Sequence, residues 1–216
     1  MRVTDASAPL ARRHSRRKQA RPGEILDAAL KLFAERGFAA TRLDAVAAAA
    51  GIGKGTIYLY FSSKEDLFRA VVRQRLLPNL EEIERALAAD TGSAADQLRL
   101  IVGRLARFAD SELAVLPKLV LAESGNFPAL ARFYADEVVN RGVKMLTGVI
   151  RRGIERGEFR PVEPLAVLPL LGGPLMMMAL WKQVLAPYTQ FQFDPAVVTA
   201  TQLDVLLRGL AAEGTL

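Results

Sequence analysis

The amino-acid sequence predicts an all-α protein of about nine helices, in which a small N-terminal domain precedes a larger helical bundle. Alanine and leucine dominate the 51% of residues that are hydrophobic, and only 7% are aromatic, a composition that favours helices over strands. Apolar residues recur three and four positions apart, as they do on the buried face of a helix. Glycine and proline clusters separate these periodic segments.

Three segments divide the 216 residues. We expect residues 1–22 to form a disordered basic arm, because they are polar, lack apolar periodicity and end in a Pro-Gly pair. Residues 23–70 are expected to fold as a compact domain of short helices, and residues 71–216 as a larger helical domain.

The small domain is predicted to begin with a helix over about 24–36, where apolar residues line one face. Gly37 follows and favours a left-handed end to this helix. Thr41 and Asp44 resemble a capping box with a shortened acid, which predicts the start of a second helix. That helix is expected to end at Gly51, after an alanine-rich run of barely two turns.

A third short helix is predicted over residues 54–60, after a turn at residues 52–53. Ser62 or Ser63 is expected to cap a fourth, longer helix, whose first turn carries two acidic residues that suit the helix dipole. This order of short helix, turn, short helix and long helix is typical of a three-helix helix-turn-helix domain joined to a connecting helix.

Further helices fill the rest of the chain. Their expected ranges are 64–89, 94–110, 112–124, 127–156, 162–187 and 195–213. Asp194 before Pro195 is a start signal for the last of them. Residues 165–181 carry no charge and approach the length of a membrane span. Because two prolines and two glycines interrupt this segment, we favour a helix buried on both sides over a membrane helix.

Composition excludes several classes of site. The chain has no cysteine, which excludes disulfides, thiolate metal sites and cysteine nucleophiles. The one histidine, His14, lies among arginines without the partners that zinc binding or Ser-His catalysis requires. We therefore expect neither an enzyme nor a bound metal or cofactor. No secretory signal is convincing, because charged residues interrupt the first apolar segment, and we expect a cytoplasmic protein.

Positive charge is concentrated at the start of the chain. Residues 1–64 carry 12 Lys and Arg against 5 Asp and Glu, whereas residues 65–216 carry 17 against 18. The whole chain has a net charge of +6. The first third is therefore suited to a polyanionic partner and the remainder is not.

The stretch GIGKGTIYLYFSSKEDLF, residues 51–68, contains glycines around a lysine and could suggest a phosphate-binding loop. A P-loop requires glycine at position 48 and a hydroxyl residue at position 55, where this chain has alanine and glycine. The spacing G-x-G-x-G also differs from the dinucleotide fingerprint, and a helix rather than a strand precedes it. A nucleotide site is therefore disfavoured.

A helix-turn-helix explains the same residues. Small residues at 47–51 allow two helices to cross closely, and apolar residues anchor them from within: Val46, Ile52, Ile57 and Phe61. The outward side of the third helix then presents Lys54, Thr56, Tyr58, Leu59 and Tyr60. Hydroxyl and ammonium groups donate hydrogen bonds to phosphate, and an apolar side chain can contact a thymine methyl. This surface is suited to duplex DNA.

Residues 24–71 resemble the DNA-binding domain of TetR-family transcriptional repressors. The resemblance lies in LFAERGFAATRLDAVAAAAGIGKGTIYLYFSSKEDLF, in which several anchor residues follow the family's usual order. It implies DNA-binding positions at Thr41, Arg42, Lys54, Gly55, Thr56, Tyr58, Leu59, Tyr60 and Lys64. It also implies an all-helical body for ligand binding and dimerisation.

The resemblance implies a role for each of the main positions. Lys54 and Thr56 would approach bases or neighbouring phosphates, and Tyr58 and Lys64 would each bind a phosphate. Gly55 would allow the backbone to come close to the duplex. Arg42 stands where the family often has a small hydroxyl residue. The arginines of the arm would enter a minor groove or only raise nonspecific affinity, and we favour the second.

The body offers candidate residues for two further sites. Specific recognition by a short helix requires two copies on one palindrome, so we expect a homodimer. Its interface is predicted at Leu175, Met178, Ala200, Leu203, Leu207 and Leu210. A ligand pocket is predicted from Phe108, Leu119, Glu123, Phe127, Tyr134, Met145, Met177 and Trp181. Plain core remains an alternative for each pocket residue.

The sequence therefore predicts a DNA-binding transcriptional regulator, a dimeric repressor of a palindromic operator that a small apolar ligand releases. The alternative is a membrane-associated or protein-binding helical module without sequence-specific DNA binding.

Overall fold

The computed structural model describes residues 8–212, with the side chains of all except 8–21 and 183. Within residues 8–212 the chain forms nine helical runs and no strand; an isolated β-bridge joins Phe159 to Ala211. The prediction of an all-α fold is confirmed. The chain divides into two compact units, one ending at Val71 and the other beginning at Val72.

Residues 8–71 of the first unit contain four helices. They are α1 (Ala8–Ala40), α2 (Leu43–Ala49), α3 (Lys54–Ile57) and α4 (Lys64–Val71). Gly37 interrupts α1 with a φ of 78° and a ψ of 171°, a backbone conformation that a side chain would disfavour. Gly37 therefore interrupts the helix near its predicted end, but its ψ of 171° is not that of the predicted left-handed cap, and α1 continues to Ala40.

Helix α1 begins well before the predicted start at residue 24. Residues 8–22 are helical, whereas the sequence predicts a disordered arm there. The physical reason is composition: arginine, lysine and glutamine make the segment polar, yet these residues and its alanines are strong helix formers. Pro22 lies inside the helix, where it removes one backbone hydrogen bond. The arm's basic side chains and residues 1–7 lie outside the described residues.

Three phenylalanines form the centre of the first unit. The ring centroids of Phe33, Phe38 and Phe68 lie 5.5 to 6.2 Å apart, in tilted and edge-to-face arrangements that favour aromatic packing. Ser63 begins α4 as predicted, because its Oγ accepts a hydrogen bond from the backbone N–H of Asp66 at 3.1 Å. The phenylalanine contacts bring α1 and α4 together.

The second unit contains seven α-helices with short π and 3₁₀ segments between them. The helices are α5 (Leu77–Ala89), α6 (Ala94–Ala109), α7 (Val115–Glu123), α8 (Pro128–Tyr134), α9 (Asn140–Glu155), α10 (Pro164–Leu180) and α11 (Pro195–Leu210). The π segments are Val72–Leu76, Ala135–Val139 and Trp181–Leu185, and the 3₁₀ segments are Glu112–Ala114 and Ala186–Tyr188. Every helical run of this unit ends within three residues of its predicted limits.

Helix α6 lies at the centre of the second unit and packs against α9, α10 and α11. Leu98, Ile101 and Ile150 are fully buried in this core. At Gly153 on α9 the backbone approaches the ring of Phe159 so closely that a methyl group would overlap it. Along residues 8–212, none of the helices combines the length and apolar character that a membrane crossing requires.

Candidate nucleic-acid interface

A Schellman motif ends α2 and fixes the direction of the next helix. Gly51 has a φ of 65°, the N–H of Gly51 donates to Ala48 O at 3.1 Å, and the N–H of Ile52 donates to Ala47 O at 2.9 Å. Both helices are anchored from within, because Val46 and Ala47 on α2 and Ile57 on α3 are buried. The turn between α2 and α3 is therefore short and rigidly hydrogen-bonded.

The other side of α3 and of the turn after it faces outward. Leu59 is 83% exposed, Tyr58 50% and Tyr60 37%, whereas Ile57 is fully buried. Lys54 is also exposed and Thr56 is half-buried. Exposed phenols and an exposed leucine are unusual on a surface that meets only water, so this face is suited to a partner.

Two further predicted positions border this face. Gly55 is exposed, and apart from its chain neighbours and the backbone of its own helix no atom lies within 4 Å of the point where a Cβ would be built. Arg42 is exposed at the start of α2, where it occupies the N-cap position without a side-chain cap hydrogen bond. The sugar-phosphate backbone of DNA can therefore approach Gly55 closely. Arg42, at the start of α2, offers a positive charge to phosphate.

Asp44 links two of the predicted DNA contacts and was not predicted as a site residue. Its Oδ2 lies 2.9 Å from Lys54 Nζ, and its Oδ1 accepts a hydrogen bond from the Tyr58 hydroxyl at 3.3 Å. The hydrogen bond from Lys54 is the main reason that the pKa of Asp44 lies below its usual value. The Asp44 carboxylate in turn raises the pKa of Lys54. The negative charge of Asp44 thus lies beside Lys54 and Tyr58 on the face that is suited to DNA.

Thr41 is not part of the exposed face. It is only 2% exposed, and its hydroxyl donates to Gly37 O at 2.7 Å and lies 3.3 Å from Leu32 O. Its predicted DNA contact is wrong because the side chain is directed inward. The predicted capping box is also wrong, since Arg42 and not Thr41 is the N-cap of α2. Thr41 instead joins the end of α1 to the start of α2.

Lys64 is engaged within the domain. Its Nζ donates to Ala39 O at 2.8 Å and to Phe38 O at 3.0 Å, and it lies 4.7 Å from the centroid of the Phe38 ring. The carbonyl groups belong to the last residues of α1, where a cation is electrostatically favoured. Its predicted role as a phosphate ligand is not supported by this geometry, because at least two of its three donors hold the turn after α1.

Two adjacent cavities lie in the second unit. One, of about 160 Å³, is lined mainly by apolar residues of α6, α7 and α10, together with Lys118. The other, of about 300 Å³, is lined by residues of α6, α10 and the segment before α11, including Trp181 and Phe193. Ala109, Leu175 and Ala179 line both cavities, so their walls are shared.

The predicted pocket residues are divided by the structure. Phe108 lines the smaller cavity and Trp181 the larger one. Met177 is 59% exposed and lines neither of these cavities. The remaining predicted residues line neither of these two cavities: Leu119, Glu123, Phe127, Tyr134 and Met145. Tyr134 is buried, and this burial raises the pKa of its hydroxyl.

Two of the predicted interface residues belong to the core of the chain itself. Leu175 and Leu210 are buried among residues of the central cluster, because each lies on the inward side of its helix. Their assignment to a dimer interface is therefore wrong. Met178 lines the larger cavity. Ala200, Leu203 and Leu207 line an open cleft of about 610 Å³ on α11.

Comparison with known proteins identifies both units. The family profile described as "Bacterial regulatory proteins, tetR family" matches residues 25–71. The profile described as "Tetracyclin repressor-like, C-terminal domain" matches residues 88–191. The first match spans the helix-turn-helix described above, and the second spans most of the larger helical unit.

Relatives with named functions cover most of the chain. A fatty acid metabolism regulator protein from Bacillus subtilis (strain 168) is 29% identical over 147 residues, which are 66% of this chain and 74% of that protein. The transcriptional repressor KstR2 from Rhodococcus jostii (strain RHA1) is 32% identical over 144 residues, 66% of this chain and 70% of that protein.

The fold is also that of solved regulators. The crystal structure of FadR from Bacillus subtilis in complex with stearoyl-CoA superposes with a TM-score of 0.72 at 24% identity, covering 87% of this chain and 98% of that one. The profile matches and the relatives together show that the chain belongs to the TetR family of helix-turn-helix transcriptional regulators.

Proposed function

We propose that the chain is a transcriptional repressor that binds a palindromic operator as a homodimer and is released by a small apolar ligand. The observation that carries the DNA-binding part is the division of residues 54–61 into two sides. Ile57 and Phe61 are buried, while Lys54, Tyr58 and Leu59 are exposed. This division supports the insertion of one face of α3 into a major groove.

Each exposed group has a contact that suits its chemistry. The Tyr58 hydroxyl and the Lys54 ammonium would donate to phosphate, and Lys54 or Thr56 would reach the edges of bases. Leu59 would contact a thymine methyl group. Gly55 would admit the sugar-phosphate backbone, since a side chain there would stand between protein and duplex.

The DNA-binding proposal is tested by selecting binding sites from genomic fragments, followed by DNase footprinting on the selected sequences. We expect a protected palindrome whose half-site centres lie about one helical turn apart. The variant Lys54→Gln should weaken operator binding and flatten the dependence of log K on log salt by at most about 0.9 per domain, because Asp44 already offsets part of the Lys54 charge. The matched variant Lys31→Gln, exposed on α1, should leave that slope nearly unchanged. If the selection enriches no sequence, the proposal of sequence-specific DNA binding is contradicted.

Dimerisation is supported by exposed apolar residues on two helices that pack against each other, α10 and α11. Leu170, Met177, Val197 and Val205 are each more than half exposed. A second copy of the chain would remove these side chains from water, and a two-fold axis would place two DNA-binding domains on one palindrome.

Sedimentation equilibrium tests the dimer. Wild-type protein should sediment as twice the chain mass, and Val205→Glu should shift it toward the single chain by burying a charge at the interface. The matched variant Val139→Glu places the same charge at an exposed valine between α8 and α9 and should remain dimeric. A wild-type protein that sediments as a single chain would refute the dimer and leave the DNA test unaffected.

Ligand binding is supported by the two adjacent cavities, of about 160 and 300 Å³. Their shared apolar wall suits an elongated hydrocarbon ligand, and Lys118 at the smaller cavity suits an anionic head group. The FadR structure holds stearoyl-CoA, and this likeness supports a long acyl chain as the first ligand class to test.

A ligand that favours one conformation of the body would alter the separation of the two DNA-binding domains. A coupling free energy of about 1–3 kcal/mol would weaken operator binding by about 5 to 150 fold. Such coupling needs no contact between ligand and DNA, because each ligand only has to favour a different conformation.

Gel-shift titration with acyl-CoA thioesters of increasing chain length tests this proposal, with free CoA and a steroid-CoA as comparison ligands. We expect release by long-chain thioesters and none by free CoA. Ala179 lines both cavities, so the ring of Ala179→Phe should fill cavity volume and abolish release while operator binding persists. The matched variant Ala129→Phe, exposed on α8, should behave as wild type. If no thioester changes operator binding, the ligand proposal is refuted and the DNA-binding proposal is unaffected.

A further inference from the structure

Asp44 occupies an unexpected position on a surface that is proposed to bind a polyanion. It lies on α2, half-buried, and its two carboxylate oxygens have different partners on α3 and the following turn. Oδ2 pairs with Lys54 Nζ at 2.9 Å and Oδ1 accepts from the Tyr58 hydroxyl at 3.3 Å. In the protein alone, both donors are thus bonded to a carboxylate in the way that they would be bonded to a phosphate.

The arrangement makes the carboxylate a competitor of DNA. Phosphate and carboxylate are both oxyanions and accept from the same ammonium and hydroxyl donors. The Lys54 side chain is largely exposed, at 72%, so an approaching phosphate can reach it. A phosphate must nevertheless displace Asp44, or share its donors with a negative charge that repels it.

We propose that Asp44 is an intramolecular competitor of DNA phosphate that lowers the sequence-independent affinity of the DNA-binding domain. This inference rests on the proposed function, because it assumes that the face of α3 meets DNA. Lys54 paired with Asp44 contributes almost no net charge to the surface. Nonspecific DNA binding depends on net neutralisation of phosphates, so the pair reduces binding to every sequence.

The expected magnitude follows from counterion release. Each phosphate neutralised adds about 0.9 to the slope of log K against log salt on B-form DNA. Freeing Lys54 by Asp44→Asn should therefore steepen the slope for random-sequence duplex by about 0.9 per DNA-binding domain. At about 0.1 M salt this corresponds to binding that is about 8-fold tighter per domain.

The experiment measures the binding of the full chain to a random-sequence duplex and to its selected operator, at several salt concentrations. Asp44→Asn is the principal variant and Asp44→Ser is a second, each checked by thermal unfolding because Asp44 also lies in the first turn of α2. Glu35→Gln is the matched control, since it removes the same charge from an exposed position on α1.

A double-mutant cycle separates release of Lys54 from general loss of negative charge. In a Lys54→Gln background, the gain of Asp44→Asn over Glu35→Gln for random duplex should become smaller, because Tyr58 is then the only one of the two donors left for Asp44 to occupy. An equal gain with and without Lys54 would overturn the proposal, and so would a gain in Asp44→Asn no larger than that in Glu35→Gln. Selective loss of operator binding would also overturn it, because Asp44 would then contact a base. A wild-type chain without any selected operator would contradict the proposed function instead.

Discussion

The buried hydroxyl of Thr41 gives the sharpest test of the structure of the DNA-binding domain. Thr41→Val preserves the shape of the side chain and removes only the hydroxyl, which donates to Gly37 O at 2.7 Å and lies 3.3 Å from Leu32 O. The site is 2% exposed, so water cannot easily replace the lost hydrogen bond. A buried group left without its partner costs about 1–3 kcal/mol, and Gly37 O is partly buried, so we expect a loss of about 1–2 kcal/mol.

Hydrogen exchange followed by mass spectrometry measures this loss locally. A loss of about 1–2 kcal/mol should speed exchange about 5 to 30 fold in peptides from the end of α1 and from α2. Peptides of the second unit should exchange as in the wild type. The neighbouring variant Arg42→Ala provides the contrast, because Arg42 is exposed: it should keep wild-type exchange and bind DNA more weakly. Unchanged exchange in Thr41→Val together with weakened operator binding would refute the inward role of Thr41.

Glycine substitutions test the backbone at four positions. Gly153→Ala should lower the urea midpoint of the full chain through a loss of about 1–3 kcal/mol, because its methyl group overlaps the Phe159 ring. Gly142→Ala, in open space on the same helix, should instead leave that midpoint unchanged or raise it. Gly51→Ala should speed amide exchange in α2 by forcing alanine into a left-handed conformation that costs about 1–2 kcal/mol. Gly55→Ala should keep wild-type exchange and weaken operator binding in gel shifts, and equal affinities would contradict a close approach of the duplex there.

The periodic pattern predicted the helices of the body closely because each helix begins and ends at local signals. Asp194 illustrates this: its carboxylate accepts from the backbone N–H of Ala196 at 2.8 Å, as the Asp-Pro start signal predicts. The prediction for the N-terminal arm, residues 1–22, differs from the structure because the arm lacks such local signals. Its residues are both polar and helix-forming, and composition alone did not separate a solvated helix from disorder.

The polar contacts of the DNA-binding domain could not be predicted from the sequence, because they join residues that are far apart in the chain. Lys64 bonds a carbonyl 26 residues earlier, and Tyr58 bonds an acid 14 residues earlier. Hydrophobic periodicity indicates which face of a helix is outward, but not which outward side chains bond each other. A similar limit explains Leu210, since α11 has apolar residues on two sides and the spacing does not tell which side meets the chain's own core.

Footprinting of a selected genomic sequence tests the central claim most directly. The claim is that residues 54–60 present Lys54, Tyr58 and Leu59 to a major groove, while the buried side chain of Ile57 packs into the core of the domain. We predict protection of a palindrome with half-sites about one turn apart, lost in a triple variant of Lys54, Tyr58 and Leu59 to alanine that stays folded. Undiminished protection of the same palindrome by that folded triple variant would contradict the claim.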